Sequence, residues 1–384
     1  MFILITDIHF RKTFDIFNII SSEHPEYTPV LCDCRGSFLS RLIAQIIYPS
    51  KIYKLRKSNY EVFERDLKAI LDERRDSEVV YLPVEEDTSL LFYEFVSNNS
   101  HPNLHFNLPS LDSFSTARNK KSMSDFCRQK NIPVPLHYST EELQELKTDF
   151  RPVVVKPREG GGAKGLFYID TPDKLSKLDK LDLDKFIVQE RVGRLNEIEG
   201  GFFLFDQGKP LSFYSHQRIR TYPRTGGVSV YSRIGHNEKI QEIGESLLRK
   251  LDWSGIAMIE FMYDGNTEEY KVIEVNARLW GSILLPQKAG LNFLKKYIDS
   301  ALGQSVESGF DSRDDVFIRW LFPFDLLNYI RSFGQLKGFW KMNKEKTCYI
   351  NFTYSKLGRS LLYTLYLNLA FIGQLLKKLI PFGK

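Results

Sequence analysis

The chain has 384 residues, 42% of them hydrophobic and 26% charged, with a net charge of +5. That length and balance suit two or three domains with sizeable cores, and exclude a disordered, collagen-like or disulfide-stapled chain. Cys32, Cys34, Cys127 and Cys348 are few and scattered, and no signal-peptide pattern precedes them, so reduced thiols in the cytoplasm are expected.

The charge is uneven. Residues 316–384 hold eleven Lys and Arg against Asp325 and Glu345, a balance of +9, so residues 1–315 carry −4. A nucleic-acid binder more often spreads its basic charge over the working domain. Here it sits in an aromatic-rich tail, and no nucleic-acid partner is expected.

In chain order, Phe2–Thr6 reads as a buried strand, Thr13–Ser21 as a helix, Pro29–Cys32 as a strand, Tyr60–Leu71 as a second helix and Val79–Pro83 as a third strand. Strands alternating with helices predict βαβ units and a parallel sheet. No Gly-x-Gly-x-x-Gly follows the first strand, so a dinucleotide fingerprint is missing. Val84-Glu85-Glu86-Asp87 is expected as an acidic loop at the sheet's C-terminal edge, where such sheets bind ligands. Ser115–Lys130 is expected as one helix, stopped by Ile132-Pro133-Val134-Pro135. Pro152–Lys156, Leu166–Ile169 and Phe186–Gln189 read as strands, 201–234 as several strands broken by turns, and Ile240–Leu251 as a helix. Gly255–Tyr263 and Glu269–Asn276 read as a hairpin turned at Asp264-Gly265-Asn266. Leu361–Leu376 is uncharged and followed by Lys377-Lys378, but is shorter than the roughly 20 residues of a spanning helix. It reads as a core-packing helix or as an interfacial helix on an anionic membrane.

Four segments hold residues that a plain core does not need. In the hairpin, Glu260 interrupts one apolar strand and Glu274 the other. Alternation puts Glu274, Asn276 and Arg278 on one face, and pairing can bring Glu260 to it. Two neighbouring buried carboxylates repel and lose hydration. Mg2+ relieves this, because hard cations take carboxylate and amide oxygens and bridge nucleotide phosphates. Arg278 then stands where it can contact a phosphoryl group. A salt-bridged, half-exposed hairpin fits the same pattern. The second segment is Gly160-Gly161-Gly162, behind a strand ending in Lys156. Glycine amides can approach phosphate oxygens closely and Lys156 supplies a point charge, although a mobile turn with a surface lysine is the alternative. Third, the strand end at Gln189, Glu190 and Val192 can offer backbone groups and the Glu190 carboxylate to an adenine edge, with Glu197 near ribose hydroxyls; a plain charge cluster is the alternative. Fourth, Gln217–Gly227 carries Arg218, Arg220 and Arg224, which suits an anion or a solvated basic loop.

These elements, in this order, resemble the ATP-grasp superfamily from about Met1 to Gly303. The resemblance implies an α/β and α+β architecture. A parallel-sheet domain at 1–112 is followed by an ATP-grasp fold at 113–312, with a small lid at about 151–193 and a larger antiparallel sheet, and by a helical, basic extension at 313–384. Lys120 and Lys156 match the two ATP lysines, with Asn119 where an Asp is usual. Gly160, Gly161 and Gly162 match the phosphate loop, Gln189, Glu190 and Val192 the adenine hinge, and Glu197 the ribose acid. Glu260, Glu274 and Asn276 match the ligands of two Mg2+ ions, for which Mn2+ can substitute, and Arg278 matches the arginine of an Asn-x-Arg ending. Gln217–Ser229 and Asn276–Ser282 look closer to bacterial predicted carboxylate–amine ligases, also described as carbamoyl-phosphate-synthase-like. Their Arg-x-Arg-x-x-Pro-x-x-Gly-Gly and Asn-x-Arg-x-Trp-Gly-Ser runs are met here by Arg218, Pro223 and Trp280-Gly281-Ser282. The implied activity is ATP-dependent ligation of a small carboxylate to an amine through an acyl phosphate, with Arg278 and Arg218 as catalytic residues and an envelope or polysaccharide precursor as a candidate substrate. A bicarbonate-using enzyme and a nucleotide-binding scaffold without turnover are the alternatives. Residues 316–384 are the expected membrane contact.

Overall fold

In the computed structural model, residues 1–35, 38–146, 148–161, 165–193, 197–222, 227–307, 316–332, 347–350, 358–359, 361–363 and 365–366 are described. The N-terminal segment alternates β1 (Phe2–Ile5), α1 (Arg11–Glu23), β2 (Thr28–Asp33), α2 (Phe38–Ile47), β3 (Ile52–Lys54), α3 (Tyr60–Asp72), β4 (Val79–Leu82), α4 (Glu86–Asn98) and β5 (Leu104–His105). Its strands form a five-stranded parallel sheet in the order β3-β2-β1-β4-β5. Ile3, Leu4 and Ile5 are fully buried, as strands covered by helices on both faces must be. The order reverses between β1 and β4, so their C-terminal ends open a crevice.

Two corrections arise here. The sequence reading passes over α2 and β3, so Val79–Leu82 is the fourth strand. The acidic run after it is only partly loop. Glu86 and Asp87 form the first turn of α4, where their charge complements the positive helix end.

The helix expected at Ser115–Lys130 is two helices, α5 (Leu111–Arg118) and α6 (Lys120–Gln129). Asn119 breaks them at φ −93° and ψ 111°, and its side chain accepts from the amides of Lys121 and Ser122. Such a cap is worth about 1 kcal/mol and makes Lys120 the first residue of α6. After α7 (Thr140–Glu145), strands β6 (Val153–Pro157), β7 (Phe167–Ile169) and β8 (Phe186–Glu190) form a small antiparallel sheet in the order β7-β6-β8. Val153, Val155, Ile169 and Val188 give it a core of its own.

The large sheet has the order β13-β12-β9-β10-β11-β14-β15. Its strands are β9 (Glu199–Asp206), β10 (Lys209–Tyr222), β11 (Val228–Gly235), β12 (Gly255–Asp264), β13 (Glu269–Asn276), β14 (Val316–Arg319) and β15 (Thr347–Ile350). Helix α8 (Glu238–Lys250) packs closely on it: a methyl group at Gly244 would lie 2.2 Å from Phe203 Cζ. Helices α9 (Leu284–Lys288) and α10 (Phe293–Ala301) join this sheet to the N-terminal one through a single core that includes Ile5, Phe14, Phe202, Trp280, Tyr297 and Trp320.

The basic extension supplies β14, α11 (Leu326–Arg331) and β15. Farther on, Tyr363 stacks on Phe14 with ring centroids 4.3 Å apart, and the Tyr366 hydroxyl meets His9 Nδ1. This part of the uncharged stretch therefore packs on α1, and 367–376 lie outside the described residues. No helix among the described residues is long and apolar enough to cross a membrane. All four cysteines are free thiols.

Candidate active site

A cleft of about 850 Å³ lies between the small sheet, the large sheet and the start of α1. Its floor is the hairpin. β12 pairs with β13 so that Glu260 stands directly across from Glu274 and Met258 across from Asn276. Opposed residues of a sheet share a face, so the register itself brings the two carboxylates together. Arg218 on β10 donates to Glu260 Oε1. Lys120 Nζ lies 3.3 Å from Glu274 Oε2, and Arg278 Nη2 donates to Asn276 Oδ1 at 3.0 Å.

The strap Gly160–Gly161 covers these groups. Gly160 has φ +89°, and its carbonyl accepts from Lys120 Nζ at 2.6 Å. A methyl group at Gly161 would lie 3.5 Å from Glu274 Oε1 and 3.9 Å from Asn276 Oδ1, in ordinary contact with both, so the strap runs directly along the carboxylate face. Gly162 lies outside the described residues. Lys156, at the end of β6, is 7% exposed. Burial lowers its pKa from 10.5 to about 8, with Glu274 pulling it up and Lys120 pushing it down.

Among the described residues, no group of three or more His, Cys, Asp and Glu is placed to hold a metal. The oxygen donors here are two carboxylates and the Asn276 amide. Mg2+ keeps several waters and is commonly bound by one or two carboxylates plus substrate phosphates, so this donor set fits it once phosphates supply the rest.

One end of the cleft is apolar, lined by Val154, Leu166, Tyr168, Val192, Met262 and Ile273. Of the residues expected around a base, Val192 and Glu190 line this region. The Glu190 side chain is already committed: Oε1 is 2.8 Å from Lys271 Nζ and accepts from the Leu136 amide at 3.0 Å. Gln189 is buried at 2% exposure and does not line the cleft, because alternation along β8 turns it to the other face. Glu197 is exposed, and its neighbour Ile198 lines the cleft in its place.

The arginine run is also corrected. Gln217 to Tyr222 belongs to β10 and is not a loop, because it pairs with β11 through an irregular register. Arg218 faces the cleft, whereas Arg220 forms a two-point pair with Asp325 at 2.9 and 2.8 Å. Residues 223–226, with Arg224, lie outside the described residues.

Arg118, Arg11 and His216 escape sequence reasoning, whereas Glu86 belongs to the acidic run expected at the sheet's edge. Arg118 Nη1 bonds Glu159 at 2.8 Å and Arg118 Nε lies 3.8 Å from Glu86, which also lies 3.9 Å from Arg278. Burial raises the Glu86 pKa, against the pull of Arg278. Arg11 and His216 line the cleft as well. Arg11 could have been found from its place just beyond a strand of a parallel sheet. His216 has no local signal.

Residues 117–282 match the family model described as the ATP-grasp domain. N5-carboxyaminoimidazole ribonucleotide synthase of Saccharolobus solfataricus is 29% identical over 166 residues, 41% of this chain and 44% of that protein, so the match spans less than half of the relative's length. In fold, the chain is similar to the biotin carboxylase–βγ-ATP complex from Campylobacter jejuni, with TM-score 0.62 at 15% identity over 82% of this chain and 74% of that one. It is also similar to the L-amino acid ligase from Bacillus licheniformis, with TM-score 0.55 at 17% identity over 82% and 77% of the two chains. The matched segment runs from the helices that carry Lys120 to the turn at Ser282, and residues 117–282 are an ATP-grasp domain.

Proposed function

We propose that this chain is a cytoplasmic ATP-dependent ligase that activates a small carboxylate as an acyl phosphate and passes it to an amine. The observation that carries the reading is the β12–β13 register, which opposes Glu260 and Glu274 beneath Gly161, with Arg218, Lys120 and Arg278 on the same carboxylate and amide groups.

In this reading the base lies in the apolar end, against Val192. Lys120, Lys156 and the amides of Gly160 to Gly162 take the phosphates, and Glu197 reaches the ribose from the rim. Glu260, Glu274 and Asn276 hold Mg2+, two ions as the family resemblance implies; bound Mg2+ neutralises phosphate charge. Arg218 and Arg278 orient the acid. A carboxylate oxygen attacks the γ-phosphorus and ADP leaves. The amine nitrogen then attacks the acyl carbon, the carbon–oxygen bond breaks, phosphate departs with the electron pair, and the nitrogen gives up a proton. Alignment and fixed charge suffice for the first step, which matches an inventory of Lys, Arg and glycine amides.

The test is ADP release screened over amino acids and sugar acids, with hydroxylamine to trap an acyl phosphate. Hydroxamate formation that depends on one acid supports the reading. Nucleotide binding without turnover for any acid would instead favour a scaffold. A carboxylating reading is favoured by the likeness to N5-carboxyaminoimidazole ribonucleotide synthase and biotin carboxylase, and ATP hydrolysis stimulated by bicarbonate alone would select it.

The extension is the membrane contact of this reading. Leu361, Leu362 and Leu365 are 45%, 44% and 55% exposed, while Tyr363 and Tyr366 are buried. An apolar face beside a strongly basic segment suits an anionic surface and an envelope precursor as substrate.

A further inference from the structure

Besides the hairpin carboxylates, the cleft is lined by Arg11, His216, Tyr222 and Ser282, to which the ligase reading gives no role. One wall is the start of α1. This 13-residue helix has no side-chain cap at Phe10 and no acid in its first turn, which holds Arg11 and Lys12 instead. That inverts the usual preference, since cations at a helix N-terminus oppose the dipole. Lys12 is taken up by Glu85 Oε1 at 2.6 Å and by the carbonyls of Val84 and Leu279. Arg11 lines the cleft, anchored to the carbonyls of Ser229 at 3.2 Å and Gly281 at 3.0 Å. A guanidinium has five N–H donors, so these two bonds leave others for a ligand.

The facing wall is β10. His216 is 2% exposed; its Nδ1 meets Ser282 Oγ at 3.2 Å and its Nε2 has no partner. The buried Tyr222 hydroxyl and Arg218 Nε also have none, and all three residues line the cleft. A buried polar atom left unmet has lost its hydration with no bond to offset it. With Ser282 donating to Nδ1, His216 presents an Nε2–H donor.

The charge in this compartment is positive. The carboxylate of Glu260 is held by Arg218. Asp15, behind Arg11, accepts from Trp320 Nε1 at 3.2 Å, and burial pushes its pKa up to about 7 against the pull of Arg11. Burial, then the charge of Arg218, holds the His216 pKa well below its ordinary value, so the ring is neutral.

We propose that this compartment binds a second anionic group of the substrate, a carboxylate or phosphate separate from the carboxylate that reacts, with Arg11 supplying charge and His216, Tyr222 and Arg218 Nε supplying hydrogen bonds. The inference rests on the ligase reading of the cleft and deepens it: the substrate is a small molecule with at least two anionic groups.

Calorimetry on the full chain, saturated with Mg2+ and a non-hydrolysable ATP analogue, tests this with acetate, succinate, adipate and inorganic phosphate as probes. A diacid or phosphate is expected to bind saturably, at least about tenfold tighter than acetate. A diacid ahead of phosphate identifies the group as a carboxylate, and the reverse order identifies a phosphate. Tyr222→Phe removes only an unpartnered hydroxyl and keeps the ring stacked on Phe324, so the fold is unaffected. It should weaken the anion by on the order of tenfold, the range for a hydrogen bond to a charged group. Arg11→Met should weaken it further, with analogue affinity unchanged in both variants. If wild type binds the analogue but no probe, or if Tyr222→Phe binds the anion like wild type, the inference is overturned. If wild type fails to bind the analogue, the ligase reading itself fails.

Discussion

The hairpin floor and the compartment at Arg11 and His216 share one cleft but are assembled in different ways. Glu260 and Glu274 meet because two strands joined by a tight turn pair in one register. Arg11, His216, Tyr222 and Ser282 come from α1, β10 and the turn after β13, segments far apart in the chain. Local pairing costs little loop entropy and leaves a periodic trace in the sequence, whereas non-local assembly leaves none. The hairpin should therefore respond to single substitutions as a unit, and the distant compartment group by group.

The largest effect is expected on the floor and at Lys156 on β6, which Glu274 of the floor influences. Glu274→Gln or Lys156→Ala should lower ATP turnover on the order of 10²-fold, the scale for losing one preorganised charge contact. Near-normal turnover of either folded variant would break the distinction between floor and compartment.

Next comes pH. Lys156 has its pKa lowered to about 8, so the free protein disfavours the ammonium that phosphates prefer. Nucleotide affinity should be full below about pH 8 and decline above it, by up to about tenfold per pH unit, while Lys156 alone loses its proton. In Lys156→Arg the decline should vanish, because arginine stays charged. Titration of an ATP analogue at several pH values checks both.

A smaller effect probes how the floor is supported from outside. Asn119→Ala removes the cap that starts α6 at Lys120 and should cost about 1 kcal/mol in urea unfolding. Nucleotide affinity should fall only a few-fold, since Lys120 keeps its contacts to Gly160 and Glu274.

The smallest effect on catalysis is expected in the extension. Leu362→Glu combined with Leu365→Glu should abolish flotation with anionic vesicles and leave turnover unchanged. Substitution is the right tool here. Truncation at 316 would remove β14, whose Val316 and Ile318 are buried in the shared core together with Trp320.

Some of the site was legible because its pattern is local. A carboxylate in an apolar strand, a glycine run behind a lysine, and Asn-x-Arg alternation each stand out within a few residues. Other expectations failed where tertiary contacts overrode local pattern. Ser115–Lys130 has helical periodicity throughout, yet Asn119 breaks it, and the Lys120 amide is used by the Arg158 carbonyl at 2.8 Å. The Glu190 carboxylate looked available for a base, but Lys271, close to it only through the fold, claims it. Arg218 and Arg220 are two apart on one strand, and alternation alone would point them the same way. An irregular register on β10 sends one to Glu260 and the other to Asp325.

The sequence by itself determined the alternation of strands and helices, the hairpin and its carboxylates, and the family they resemble, since strand period and turn chemistry act over a few residues. Only the tertiary structure decided that α1 presents Arg11 to the same cleft, that His216 Nε2 and the Tyr222 hydroxyl are left without a hydrogen bond there, and that Tyr363 packs on Phe14. Those outcomes depend on how separate elements bury their apolar faces against one another, and burial is non-directional, so no short stretch of sequence encodes it.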